Sequence, residues 1–118
     1  MRDHKKLRAF ELADQVVMEV YRTTREFPKE ELFGLTSQLR RAAVSIASNI
    51  VEGCAQHSEA DFLRFLDMAY GSSKEVEYQL SIAERLEYSR DLASIRSSCD
   101  ETSKVLSGLI RSIRNSSS

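Results

Sequence analysis

Twenty residues from Gly34 to Gly53, GLTSQLRRAAVSIASNIVEG, leave this chain few folds to choose from. At about 100° per residue, Leu35, Leu39, Ala42, Ala43, Ile46 and Ile50 share one arc of a helix. Val44, Ala47 and Val51 widen that arc to roughly half the circumference. The stripe left over holds Ser37, Gln38, Arg41, Ser45, Ser48, Asn49 and Glu52. A surface helix normally presents a broad face rich in Lys and Glu. A thin stripe of short hydrogen-bonding groups predicts instead a helix covered on several sides, with an ordered polar seam.

Three more segments carry helical periodicity. Phe10, Ala13, Val17, Val20, Thr24 and Phe27 recur at steps of three and four, and Pro28 ends that helix because proline disfavours helical geometry in the residue before it. The second helix begins at Glu31 or Leu35 and runs to Cys54, with Gly53 as its expected C-terminal cap. Ser58-Glu59-Ala60-Asp61 has the Ser-x-x-acid pattern of a capping box, followed by Phe62, Phe65, Leu66, Ala69, Ser73, Val76, Leu80 and Ala83 on one face. Met68, Ile82 and Leu86 form a second, lateral apolar strip on this third helix. Leu92, Ile95, Cys99, Thr102, Leu106, Leu109 and Ile113 mark the fourth, with Val105 and Ile110 broadening its face, before a polar tail at 114–118. The expected helices are therefore about 7–27, 31–54, 58–87 and 91–113. Their short connections predict one all-α domain over residues 1–118, an up-down-up-down antiparallel four-helix bundle.

Composition narrows the function classes. At 118 residues and 13.4 kDa the chain is long enough to bury one core without disulfide or metal staples. A net charge of −1 and a pI of about 6.1 give none of the basic excess typical of nucleic-acid binding. Cys54 and Cys99 make no disulfide framework and read as small buried hydrophobes. The charged start MRDHKKLRAF lacks a secretory pattern, and no apolar run approaches the ~20 residues of a membrane span. The expectation is a cytoplasmic chain of bacterial type that contacts no membrane.

No catalytic constellation emerges. His4 and His57 lack partners at useful spacing, and Cys54-x-x-His57 offers two zinc ligands where four are needed. No cofactor and no metal are expected. Arg41, Ser45, Asn49 and Glu52 at steps of four, four and three, and Ser72, Glu75 and Gln79 at steps of three and four, read as a structural polar seam between the second and third helices. In it Arg41 is expected to meet Glu75, and Ser45 or Asn49 to meet Ser72. The lateral strips Val44/Ala47/Val51 and Met68/Ile82/Leu86 are expected to bury against further copies of the chain. Arg2, Lys5, Lys6 and Arg8, joined by Arg22 and Arg25 along the first helix, are the nucleic-acid candidates. Glu11, Glu19 and Glu26 dilute that patch, and no aromatic residues interleave with it as a stacking platform requires. The competing class is a protein-interaction scaffold with no nucleic-acid contact.

Phe27-Pro28-x-x-Glu31-x-x-Gly34-Leu35, then Gln38-Leu39-Arg40-Arg41-Ala42, Ser45-Ile46, Asn49-Ile50 and Glu52-Gly53, resembles the signature of the 23S rRNA intervening-sequence (ribosomal S23) family. Phe65-Leu66-x-x-Ala69-x-Gly71-Ser72-x-x-Glu75, with Gln79 one turn on, resembles its second motif. The match covers about residues 7–90. Tyr70 departs from it, standing where a basic or small residue is expected. The resemblance implies a four-helix bundle assembled as a homopentamer. It extends to the accessory variability determinant of diversity-generating retroelements, which implies a reverse transcriptase, RNA or DNA as partners.

Overall fold

The computed structural model describes residues 2–116. Four helices, α1 (Arg8–Thr24), α2 (Leu35–Cys54), α3 (Glu59–Arg85) and α4 (Ala93–Ser116), are accompanied by single 3-10 turns at His4–Lys6 and Lys29–Glu31. No strand occurs among the described residues. α1 and α3 each pack on both α2 and α4, and the diagonal pairs share no close contact. The chain reverses at each short connection, so the order around the bundle is the order in sequence. Its backbone extends 47 × 21 × 19 Å.

Most of the predicted periodicity meets in one core. Val20, Leu39, Ile46, Ile50, Leu66, Val76, Leu80 and Leu106 are fully enclosed. Two registers differ from expectation. In α1 the buried face runs through Ala9, Ala13, Val16 and Val20, while Phe10 and Val17 lie at its edge. In α4 the deep position near the C-terminus belongs to Ile110 rather than Leu109. In α4 the cause is that a straight helix drifts about 20° per heptad against a strict three-four pattern, so that by the third heptad Leu109 has swung outward and Ile110 inward.

The helix ends correct several boundaries. α1 stops at Thr24, and i→i+3 bonds from the Arg25, Glu26 and Phe27 amides tighten the chain so that Phe27 turns back into the core. α2 starts at Leu35, with Glu31 in a separate turn. Ser58 caps α3 as expected, its hydroxyl accepting from the Asp61 amide at 3.1 Å. The tail expected from residue 114 is helical as far as Ser116, where Arg114 pairs with Asp67 of α3; Ser117 and Ser118 lie outside the described residues.

Gly53 is not a C-terminal cap. It lies inside α2 without a left-handed φ, and a Cβ there would stand 2.9 Å from Cβ of Phe65 and 3.3 Å from the Phe62 ring. Its missing side chain is what lets α2 and α3 close together. The left-handed position falls instead on Glu87, φ 58°, after α3. There the Tyr88 amide reaches the Ala83 carbonyl and the Glu87 amide reaches that of Glu84, the bond pattern of a Schellman turn.

Two glycine exchanges should therefore move stability in opposite directions. Gly53→Ala overpacks the α2–α3 crossing at about 1–3 kcal/mol, offset in part by about 1 kcal/mol of helix propensity. Glu87→Gly relieves a left-handed L-residue and should add up to about 1 kcal/mol. Urea midpoints of the two variants against the parent check both signs.

Candidate functional site

The polar seam forms only at its centre. Ser45 Oγ and Ser72 Oγ lie 2.9 Å apart across the α2–α3 interface. Asn49 Nδ2 donates to the Ser45 carbonyl at 2.8 Å and to Ser45 Oγ at 3.0 Å. The outer members do not join as expected. Arg41 and Glu75 share the lining of a 260 Å³ pocket with Gln38, Ala42 and Ser45, yet make no ion pair. Both are exposed, so water satisfies them, and Glu75 accepts from Gln79 Nε2 at 3.3 Å. Glu52 is exposed, and its carbonyl accepts from Gln56 Nε2 at 3.0 Å and from the Ala55 amide at 3.2 Å. Gln79 is buried, and its Oε1 has no hydrogen-bond partner among the described residues.

A second polar cluster, between α3 and α4, was not legible as a site. Ser73 and Ser103 are buried with their hydroxyls 2.8 Å apart. Ser73 donates to the Tyr70 carbonyl, and Ser103 donates to Glu77, whose carboxylate also holds Lys74 at 3.3 Å. Cys99 lies against the Ser73 carbonyl, and burial pushes its thiol up to about 12. Burial also raises Cys54, while His57 three residues on is exposed. Among the described residues no group of three or more His, Cys, Asp or Glu is placed to hold a metal. Among the described residues no helix is long and apolar enough to cross a membrane.

The lateral strips face outward. Val44, Val51, Met68 and Leu86 are exposed, and Ala47 and Ile82 are half-buried. The nucleic-acid candidates are divided between the two ends of α1, since the 14 residues from Arg8 to Arg22 rise about 21 Å. Arg2 is committed to the fold: its amide donates to the Cys54 carbonyl, and its guanidinium sits 3.9 Å from the Phe62 ring centroid. Arg8 pairs with Glu101 at 2.7 Å. Lys5, Lys6, Arg22 and Arg25 are exposed. Sequence reasoning overlooked a cleft where Tyr21 and Phe33 meet Arg40 and Arg41. The only signal for it was a Leu32-Phe33 pair outside every periodic face.

Residues 5–108 match the model of the 23S rRNA-intervening sequence proteins. The chain belongs to that family. A similar solved structure is the 1.70 Å crystal structure of a protein with unknown function from the S23 ribosomal protein family of Bacteroides thetaiotaomicron VPI-5482. It shares 26% identity with a TM-score of 0.80, over 87% of this chain and 95% of that one. No curated protein matches the chain significantly.

In this 23S rRNA-intervening sequence protein, the stretch from Phe27 to Leu35 builds the α1–α2 corner. Glu31 Oε1 accepts from the Leu35 amide at 3.1 Å, capping α2, and Glu31 Oε2 accepts from the Tyr88 hydroxyl at 2.6 Å. A Cβ on Gly34 would fall 2.6 Å from Glu31 Oε1, so a side chain at 34 displaces the cap. Phe27 stacks at a tilt on Tyr88, centroids 5.5 Å apart. The Tyr88 hydroxyl, followed by the Leu35 amide, holds the Glu31 carboxyl below its ordinary value. The same bond, followed by burial, raises Tyr88.

The pH dependence follows from those directions. Stability from the lowered Glu31 is present above the ordinary carboxylate range and lost as pH falls through its folded value. Stability from the raised Tyr88 is present below the ordinary tyrosine range and lost as pH rises through its folded value. Tyr88→Phe should cost stability at neutral pH, by an amount that shrinks toward both extremes. Urea midpoints across pH check this, and a constant gap between parent and variant would show the two groups to be uncoupled.

Proposed function

We propose that this protein is a non-catalytic, cytoplasmic, self-associating four-helix module, a homopentamer, that binds nucleic acid. The observation that carries the reading is the outward apolar strip on α2 and α3. Val44 is 38% exposed, Val51 36%, Met68 40% and Leu86 53%, with Ala47 and Ile82 half-covered beside them. Apolar surface exposed on two adjacent helices is stabilised by covering it with protein. Closed rotational symmetry then copies every surface cation once per subunit, so weak phosphate contacts at Lys5, Lys6, Arg22 and Arg25 add up. The family is described by reference to the 23S rRNA intervening sequence, which makes RNA the first nucleic acid to try.

Native mass spectrometry at about 50 and about 200 mM salt, with and without RNA, tests both parts. A five-fold mass that retains RNA only at the lower salt supports the reading, because phosphate contacts release counterions. A five-fold mass that ignores RNA moves the function to a protein scaffold whose partner is another protein, such as a reverse transcriptase. A single-chain mass overturns self-association. Met68→Asp should reduce the assembly to single chains while the helical circular dichroism persists.

A further inference from the structure

Folding brings together four side chains from three separate stretches of the sequence. Tyr21 of α1, Phe33 of the α1–α2 connection, and Arg40 and Arg41 of α2 line one 480 Å³ cleft, with Leu32, Ser37 and Val44 completing its wall; Val44 is where the cleft meets the outward apolar strip of α2. That volume lies within the ordinary range of ligand clefts. Phe33 is 93% exposed, beside Leu32 at 49%. So large a bare aromatic surface has no role in the core of the chain. Arg40 is held in place: its Nε donates to Thr24 Oγ1 at 2.9 Å, and its guanidinium sits 4.8 Å from the Tyr21 ring centroid. Thr24 is itself anchored by donating to the Val20 carbonyl at 2.8 Å. The terminal nitrogens of Arg40 make no hydrogen bond or ion pair among the described residues. Arg41, on the rim, is exposed and enters no ion pair.

The charge of the cleft has one sign. Its lining contains two guanidinium groups and no carboxylate. Glu31, two residues before Phe33, is turned away to the Leu35 amide and Tyr88. Arg25, four residues after Tyr21, stands at the C-terminal cap of α1. Exposed aromatic rings beside unpaired positive groups are the two components of a single-strand site: rings stack unpaired bases, and guanidiniums hold the flanking phosphates. A duplex offers no free base face for Phe33 to meet.

We propose that the Tyr21–Phe33–Arg40–Arg41 cleft is a single-strand nucleic-acid site that stacks an unpaired base and grips its phosphates. The inference rests on the nucleic-acid reading above and locates that contact away from the Lys5/Lys6 end. RNA and DNA share this chemistry, so both are tested.

The chain contains no tryptophan, so Phe33→Trp places a single fluorophore in the cleft. Labelled oligo(U), oligo(dT) and a blunt duplex, each of about 12 nucleotides per strand, are titrated by anisotropy into the full chain and its variants. Phe33→Ala should weaken single-strand binding about tenfold or more with duplex binding unchanged. Phe33→Trp should retain affinity, and its emission should be quenched by the single strands. Arg41→Gln should weaken single-strand binding and flatten its salt dependence. Tighter binding of oligo(U) than oligo(dT) would make the ligand RNA, and the reverse order DNA. If Phe33→Ala binds as the parent does while Lys5→Gln/Lys6→Gln does not, the cleft is overturned and nucleic-acid binding stands. If the parent binds none of the three, both fall. If Phe33→Ala alters the mass of the assembly, Phe33 is a subunit contact and the cleft proposal fails.

Discussion

Where α2 crosses α3 near Gly53 there is space for a hydrogen atom and nothing larger. A methyl group at 53 would press on Cβ of Phe65, the part of a side chain that cannot swing aside. Other features follow from that close approach. It brings short hydroxyl side chains within reach across the interface, so Ser45 and Ser72 meet directly where longer groups would not fit. It also leaves the Cys54 carbonyl and the Phe62 ring at one end of the bundle, where Arg2 engages both and ties down the chain ahead of α1. A core of interchangeable aliphatic side chains tolerates many helix offsets. A steric stop and a hydroxyl pair select one.

The polar groups are sorted by length. Short ones go inward and are satisfied locally: Thr24, Ser73 and Thr102 each donate to a carbonyl of their own helix three or four residues back. Long charged ones stay at the rim and link different helices there, as in Arg8–Glu101, Arg96–Glu84 and Arg114–Asp67. Each such pair is partly solvated and contributes at most about 1 kcal/mol. Their value lies in agreeing with the helix order. Glu77 is intermediate, using Ser103 on its inner side and Lys74 on its outer side.

The fold was largely readable because apolar spacing reports burial directly. Leu39, Ile46, Leu66, Val76 and Leu106 stand where their periodicity puts them, and Ser58 caps where its pattern says. Periodicity does not measure how near two helices come, so Gly53 read as a cap when it is a contact. It does not register a residue outside every helix face, so Phe33 went unnoticed until α1 and α2 placed arginines beside it. Nor does it separate a charged pair that touches from one that merely shares a pocket, as Arg41 and Glu75 do.

The two thiols give the bundle a practical property. Cys54 and Cys99 are both buried, and in both the thiolate that would act as nucleophile is disfavoured. Burial shields both thiols from an alkylating reagent in the folded protein. A cysteine introduced anywhere on its surface becomes the sole reactive handle. Spin labels or fluorescent dyes can then be placed one at a time without removing either native cysteine.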